Sequence, residues 1–188
     1  AGALGIADLK AGDLTITEFM ANPDKVGDEV GEWFEVHNPG DKDIDINGLT
    51  IQGKTASATH TIKVNSVLMV AAKGYAALGN SADEKVNGGY TALYAYDAKK
   101  IKLSNSGSTI TLLAGATQIA SVTYEKNANG WPYIVAGKST QLSPDGKDAS
   151  KGDSWCVSQK SYGDGDQGTP GDANPACVGY SYYVYRAG

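Results

Sequence analysis

Carboxylates are the most plausible source of chemistry in this sequence. Asp and Glu total 21 against 16 Lys and Arg, for a net charge of -5. One group, Asp24, Asp28, Glu29 and Glu32, falls in a short loop. Another, Asp153, Asp164, Asp166 and Asp172, falls in a Gly- and Pro-rich stretch. Calcium takes about six to eight oxygen ligands, and acidic Gly-rich loops can wrap to supply them. Glu18, Asp28, Glu32, Asp153, Asp164, Asp166 and Asp172 are therefore candidate Ca2+ ligands. The spacing lacks the EF-hand pattern, so solvated acidic loops are the simpler expectation. Glu18 stands out because it shares a strand face with Leu14, Ile16 and Met20. It is expected to cap loop amides near Asn22 or to join an ion site with Glu32, unless it is an exposed acid at a strand end.

Other chemistry finds little support. His37 and His60 sit in strand-like patterns without the Cys or His partners of a zinc site. No Gly-x-Ser-x-Gly elbow supplies a hydrolase nucleophile. Gly163-Asp164-Gly165-Asp166-Gln167-Gly168 fits a dinucleotide fingerprint by spelling only. It follows no strand, and Pro170-Gly171 prevents the helix that would hold pyrophosphate. These readings predict a protein that is not an enzyme and requires no cofactor. Cys156 and Cys177, both in a loop-rich region, fit a disulfide formed in an oxidising compartment. Tyr90, Tyr94 and Tyr96 could stack sugars, but core and surface filling is the expected role of these rings. Tyr180, Tyr182, Tyr183, Val184 and Tyr185 form a candidate assembly interface.

The elements that must position these residues are short strands. Leu14, Ile16, Glu18 and Met20 alternate with Thr15, Thr17 and Phe19. Phe34 and Val36 alternate with Trp33, Glu35 and His37. Asn47-Gly48 signals either a reversal or a bend within a longer strand. Tyr90 to Tyr96 is a strand candidate, and Thr109 to Leu113 with Ile119 to Tyr124 is a hairpin. Beyond Ser143 the apolar pattern lapses, leaving Trp155-Cys156-Val157 as an island. Turn signals about every 8 to 12 residues and no stripe of helical period predict an all-β sandwich or barrel. No basic stripe favours nucleic acid, and no apolar run is long enough to insert in a membrane. The start Ala1-Gly2-Ala3, without Met, is similar to a mature end left by signal-peptide cleavage, which points to secretion.

Several segments in order resemble a lamin tail domain of the bacterial secreted type. They are Gly12 to Pro23, Gly31 to Asp41, Asp45-Ile46-Asn47-Gly48-Leu49-Thr50-Ile51, and Leu103 to Leu112. Ser121 to Tyr124, Trp131-Pro132 and Gly168-Thr169-Pro170-Gly171-Asp172-Ala173-Asn174-Pro175 continue the series. Leu49 stands where the family commonly has Trp. The resemblance implies an immunoglobulin-like β-sandwich over residues 13–177, preceded by an arm at 1–12 and followed by a tyrosine-rich tail at 178–188. It also implies binding or assembly rather than catalysis. The expected function is that of a secreted structural protein, at a cell surface or in an extracellular matrix. It would self-associate, or join another surface partner, through sheet edges and its terminal segments, Ala1 to Lys10 and Gly179 to Arg186. The alternative is a calcium-supported module that binds glycan or another extracellular polymer.

Overall fold

The computed structural model describes residues 2–146 and 148–177. The expected assembly segment Tyr180 to Tyr185 lies outside them. In chain order the strands are β1 (Thr15–Met20), β2 (Trp33–His37), β3 (Ile44–Asp45), β4 (Thr50–Gln52), β5 (Thr59–Thr61) and β6 (Met69–Val70). They continue as β7 (Tyr75–Gly79), β8 (Ala92–Ala95), β9 (Gly107–Ala114), β10 (Thr117–Glu125), β11 (Thr140–Leu142) and β12 (Trp155–Val157). A six-stranded sheet runs β12-β11-β1-β2-β7-β8, a four-stranded sheet β10-β9-β4-β5, and a small sheet β3-β6. Among the described residues the α-helical content is a single turn, α1 (Asp28–Gly31). No helix of the described residues is long and apolar enough to cross a membrane.

The two larger sheets face one another across one core. Ile16, Phe19, Phe34, Val36 and Leu78 from the first meet Ile51, Ile110, Leu112, Val122 and Tyr124 from the second. Each such side chain contributes about 1.5–3 kcal/mol when fully removed from water. Phe19 lies at the centre, stacked on Tyr124 at 4.1 Å between ring centroids and flanked by Trp131 and Trp155 at 6.5 and 5.7 Å. This all-β sandwich is the architecture the sequence predicts.

Strand parity departs from simple alternation in β1. The β1–β2 register shifts between Ile16 and Glu18. A bulge of this kind inserts a residue and reverses which side chains face inward. Ile16 and Phe19 therefore both enter the core, and Met20 joins Trp33, Ala77 and Tyr90 in a separate cluster. The expected grouping of Ile16 with Met20, opposite Phe19, is corrected by this bulge. In β2 the alternation holds, with Phe34 and Val36 inward.

Asn47-Gly48 is neither a hairpin nor a bend within one strand. Gly48, at φ +103°, carries the chain from β3 in the small sheet to β4 in the four-stranded one. The β9–β10 hairpin forms as expected, with Ala114 opposite Thr117 across a two-residue turn that has Gly115 at φ +59°. The N-terminal segment is not a free arm. Leu4 accepts from Asp45 N–H and donates to Asp43 C=O, both at 2.8 Å, and Leu9 is buried in the core.

Candidate functional site: buried carboxylates and an aromatic groove

The bulge in β1 turns Glu18 away from the core and towards the outer face of the six-stranded sheet. There it lies directly across from Glu35 of β2. Neither carboxylate is exposed to water, because residues 166–174 pass over them. Thr169 N–H donates to Glu18 Oε1 at 3.0 Å, and the Ser139 hydroxyl donates to the same oxygen. Glu35 accepts from the Thr17 hydroxyl at 2.7 Å and from Gly171 N–H at 2.8 Å. Gly168 permits the close approach. A Cβ there would lie 2.9 Å from the Trp33 ring and 3.1 Å from both Glu18 Oε1 and Ser139 Oγ.

Burial, rather than the hydrogen bonds, favours a proton on Glu18. Asn174 donates through Nδ2 to Thr17 C=O at 2.8 Å and to Leu142 C=O at 3.0 Å, so its Oδ1 must accept. Thr169 Oγ1 sits 2.7 Å from both Asn174 Oδ1 and Glu18 Oε2. A hydroxyl holds a single proton. It is shared between Glu18 Oε2 and Asn174 Oδ1, both within reach as acceptors. Burial pushes Glu18 up from 4.5 to about 7 against the bonds from Ser139 and Thr169. Glu35 is raised to about 9, first by burial and then by the neighbouring Glu18. Two buried carboxyls this close cannot both ionise cheaply. What the cluster does is fasten the closing segment to the sheet.

Other candidate ligands are placed elsewhere. Glu32 accepts from Leu103 N–H at 3.0 Å, and burial lifts it to about 7, with Asp28 adding to the rise. Asp166 is buried and accepts from the N–H groups of Asp24 and Lys25 at 3.1 and 3.4 Å. Asp28, Asp153, Asp164 and Asp172 are exposed. No group of three or more His, Cys, Asp or Glu among the described residues is arranged to hold a metal. Glu18 and Glu32 are each held by separate protein donors, Ser139 and Thr169 for the one and Leu103 for the other. Glu18 does cap loop amides, but those of Thr169 rather than of the loop near Asn22.

The Gly163–Gly168 loop packs against Gly88 and Gly89, with Asp164 N–H donating to Gly88 C=O at 3.0 Å. His37 stacks on Tyr75 at 4.2 Å, and His60 Nε2 pairs with the Tyr94 hydroxyl at 2.9 Å. A sugar platform on the first tyrosine cluster is not formed, because Tyr90 and Tyr96 are buried. Their role is the expected filling.

Cys156 and Cys177 are disulfide-bonded, with 5.9 Å between their Cα atoms. Cys156 lies in β12, a strand that alternation could not reveal because it has only three residues. Its neighbours Trp155 and Val157 form one wall of a groove of about 530 Å³. The opposite wall is the loop carrying Trp131, Pro132, Tyr133 and Val135, and Asn127, Asn129, Lys138 and Asp153 supply polar atoms around it. Trp131 and Trp155 are buried, whereas Tyr133 is 51% exposed. The placement of Trp131-Pro132 beside β12 depends on long-range contacts that no local pattern encodes.

A family model for the lamin tail domain matches residues 8–126. No characterised protein matches the chain in a separate search. The matched stretch is shorter than the 13–177 over which motifs resemble the family. It contains the hairpin, the bulged β1 and both Glu18 and Glu35. It stops before β11, β12, the disulfide and the segment that closes over the carboxylates. With well over half of its 188 residues matched, the chain belongs to the lamin tail domain family.

Proposed function

We propose that the chain is a non-enzymatic structural module of an extracellular or cell-surface assembly, associating with copies of itself through the open edge of β10. The observation that carries this reading is the character of that edge. β10 is the terminal strand of its sheet and, at nine residues, the longest of the described strands. Exposed edges are normally blunted by charge, proline or bulges because their unpaired N–H and C=O groups recruit other strands. The bulge of β10 lies at its beginning, between Gln118 and Ala120, and its one charge, Glu125, at its end. Between them Ala120-Ser121-Val122-Thr123-Tyr124 carries neither charge nor proline. The backbone contact from outside the sheet among the described residues is Gly12 N–H donating to Ile119 C=O at 2.9 Å.

The face beside this edge is a ladder of hydroxyls. Thr109 pairs with Thr123 at 3.0 Å, and Thr111 with Ser121 at 2.8 Å. Two copies of β10 paired about a two-fold axis would merge the four-stranded sheets and bring these ladders together, a self-complementary contact of the kind closed dimers use. The disulfide fits an oxidising, extracellular setting. The N-terminal segment, already bonded to β3, is not available as a connector.

Sedimentation of the intact chain over a concentration series tests the reading. A Ser121→Lys/Thr123→Lys variant would set like charges opposite one another in the paired strands. The wild type should associate with rising concentration, and the variant should stay monomeric. A wild type that is monomeric throughout, or a variant that associates equally well, refutes the proposal.

A further inference from the structure

The groove beside β12 and the sequence past Cys177 meet at one covalent point. Cys156 lines the groove, and its sulfur is bonded to Cys177. The chain therefore leaves the described structure one disulfide away from β12, the edge strand that walls the groove. Eleven residues follow: Val178-Gly179-Tyr180-Ser181-Tyr182-Tyr183-Val184-Tyr185-Arg186-Ala187-Gly188. They hold four of the chain's eleven tyrosines, a single Arg and no acid. Each tyrosine has about 150–250 Å² of surface to bury. Apolar wall and aromatic segment are thus chemically matched and already tethered.

We propose that the groove formed by Trp131, Tyr133, Val135, Trp155 and Val157 is the seat of residues 178–188 of the same chain. Length and concentration both support this occupant. At about 3.3 Å per residue, eleven residues reach roughly 36 Å, ample for a site that begins at the tether. A short tether imposes an effective concentration on the order of millimolar, which a second copy or a free ligand must exceed to compete. The polar rim suits the segment as well. Asn127 and Asn129 offer amides to tyrosine hydroxyls, and Asp153 offers a carboxylate to Arg186. Seated there, the segment would cover the β12 end of the six-stranded sheet and leave β10 as the edge available to a second molecule. The inference goes beyond the self-association reading and stands without it.

The test uses the full-length chain with Tyr180→Ser/Tyr182→Ser/Tyr183→Ser/Tyr185→Ser, which keeps the fold and disulfide but removes the aromatic occupant. A synthetic peptide of residues 178–188 is titrated into it and into the wild type by calorimetry. Saturable binding to the variant, little or none to the wild type, and at least tenfold weaker binding when Tyr133→Ala is added are the expected results. Absent binding to the variant, or equal binding to both, overturns the proposal. A wild-type dimer that the tyrosine substitutions dissolve also overturns it, because the segment would then sit in a neighbour's groove. Ser121→Lys/Thr123→Lys should leave peptide binding unchanged, which separates failure of this site from failure of the β10 edge.

Discussion

Replacing Glu18 by Gln should stabilise the protein in mild alkali while leaving it nearly unchanged in mild acid. In the folded chain Glu18 Oε1 accepts from Ser139 and Thr169 N–H, and Oε2 accepts from the Thr169 hydroxyl. A glutamine keeps the acceptor at Oε1, and its amide at Oε2 can donate to Thr169 Oγ1 once that hydroxyl turns its own proton to Asn174 Oδ1. The wild-type carboxyl is raised from 4.5 to about 7. The folded state therefore holds a proton that the unfolded state has released, and stability falls as the pH rises between these values. The contribution is fully present below about pH 4.5 and lost above about pH 7. A shift of this size, at about 1.4 kcal/mol per pH unit, amounts to about 3 kcal/mol. For a chain of this length that is roughly 6–12 °C in Tm. Glu35, raised to about 9, and Glu32, raised to about 7, add to the wild type's alkaline loss in the same direction. Urea or thermal unfolding at pH 5 and pH 8 measures the difference. Glu18→Gln should match the wild type within about 1 kcal/mol at pH 5 and exceed it by about 3 kcal/mol at pH 8. An equal loss at both pH values would mean that Glu18 is ionised in the folded state across this range, contrary to a carboxyl raised by burial.

Three further outcomes follow from the same packing. Cys156→Ser/Cys177→Ser opens a link spanning 21 positions in sequence and should cost about 3 kcal/mol, read as a lower urea midpoint. Phe19→Ala removes the ring shared by Tyr124, Trp131 and Trp155 and should cost about 3–5 kcal/mol, with a change in near-ultraviolet dichroism from those aromatics. Asn174→Ala removes the side-chain donor to Thr17 C=O and Leu142 C=O and one of the two acceptors of the Thr169 hydroxyl. It should cost about 2–4 kcal/mol and speed amide exchange at Thr169 and Gly171.

The sandwich is legible in the sequence because it rests on local signals. The β9–β10 hairpin is spelled by alternation on either side of Gly115-Ala116, and the inward pair Phe34 and Val36 by period two. The bulge in β1 is not legible, since nothing in Thr15 to Met20 marks where the register with β2 slips. That slip decides the fate of Glu18. Its partners Ser139 and Thr169 lie 121 and 151 positions away, so neither its burial nor its proton follows from neighbouring residues. The cysteine pairing was accessible because the chain has two cysteines to pair. The groove they anchor was not, because β12 is three residues long and its facing loop comes from another part of the chain. Acidic loops that suggest calcium in the sequence resolve into separate roles, with Asp166 and Glu32 bound to backbone amides and Asp153, Asp164 and Asp172 facing water.

Amide hydrogen exchange along β10, followed as protein concentration rises, tests the proposed assembly most directly. In a lone molecule the outward-facing amides of Ala120 to Tyr124 have no strand to pair with and should exchange quickly. The account predicts that protection appears there with association, and that Ser121→Lys/Thr123→Lys abolishes both. Association without any new protection between Ala120 and Tyr124 would contradict it.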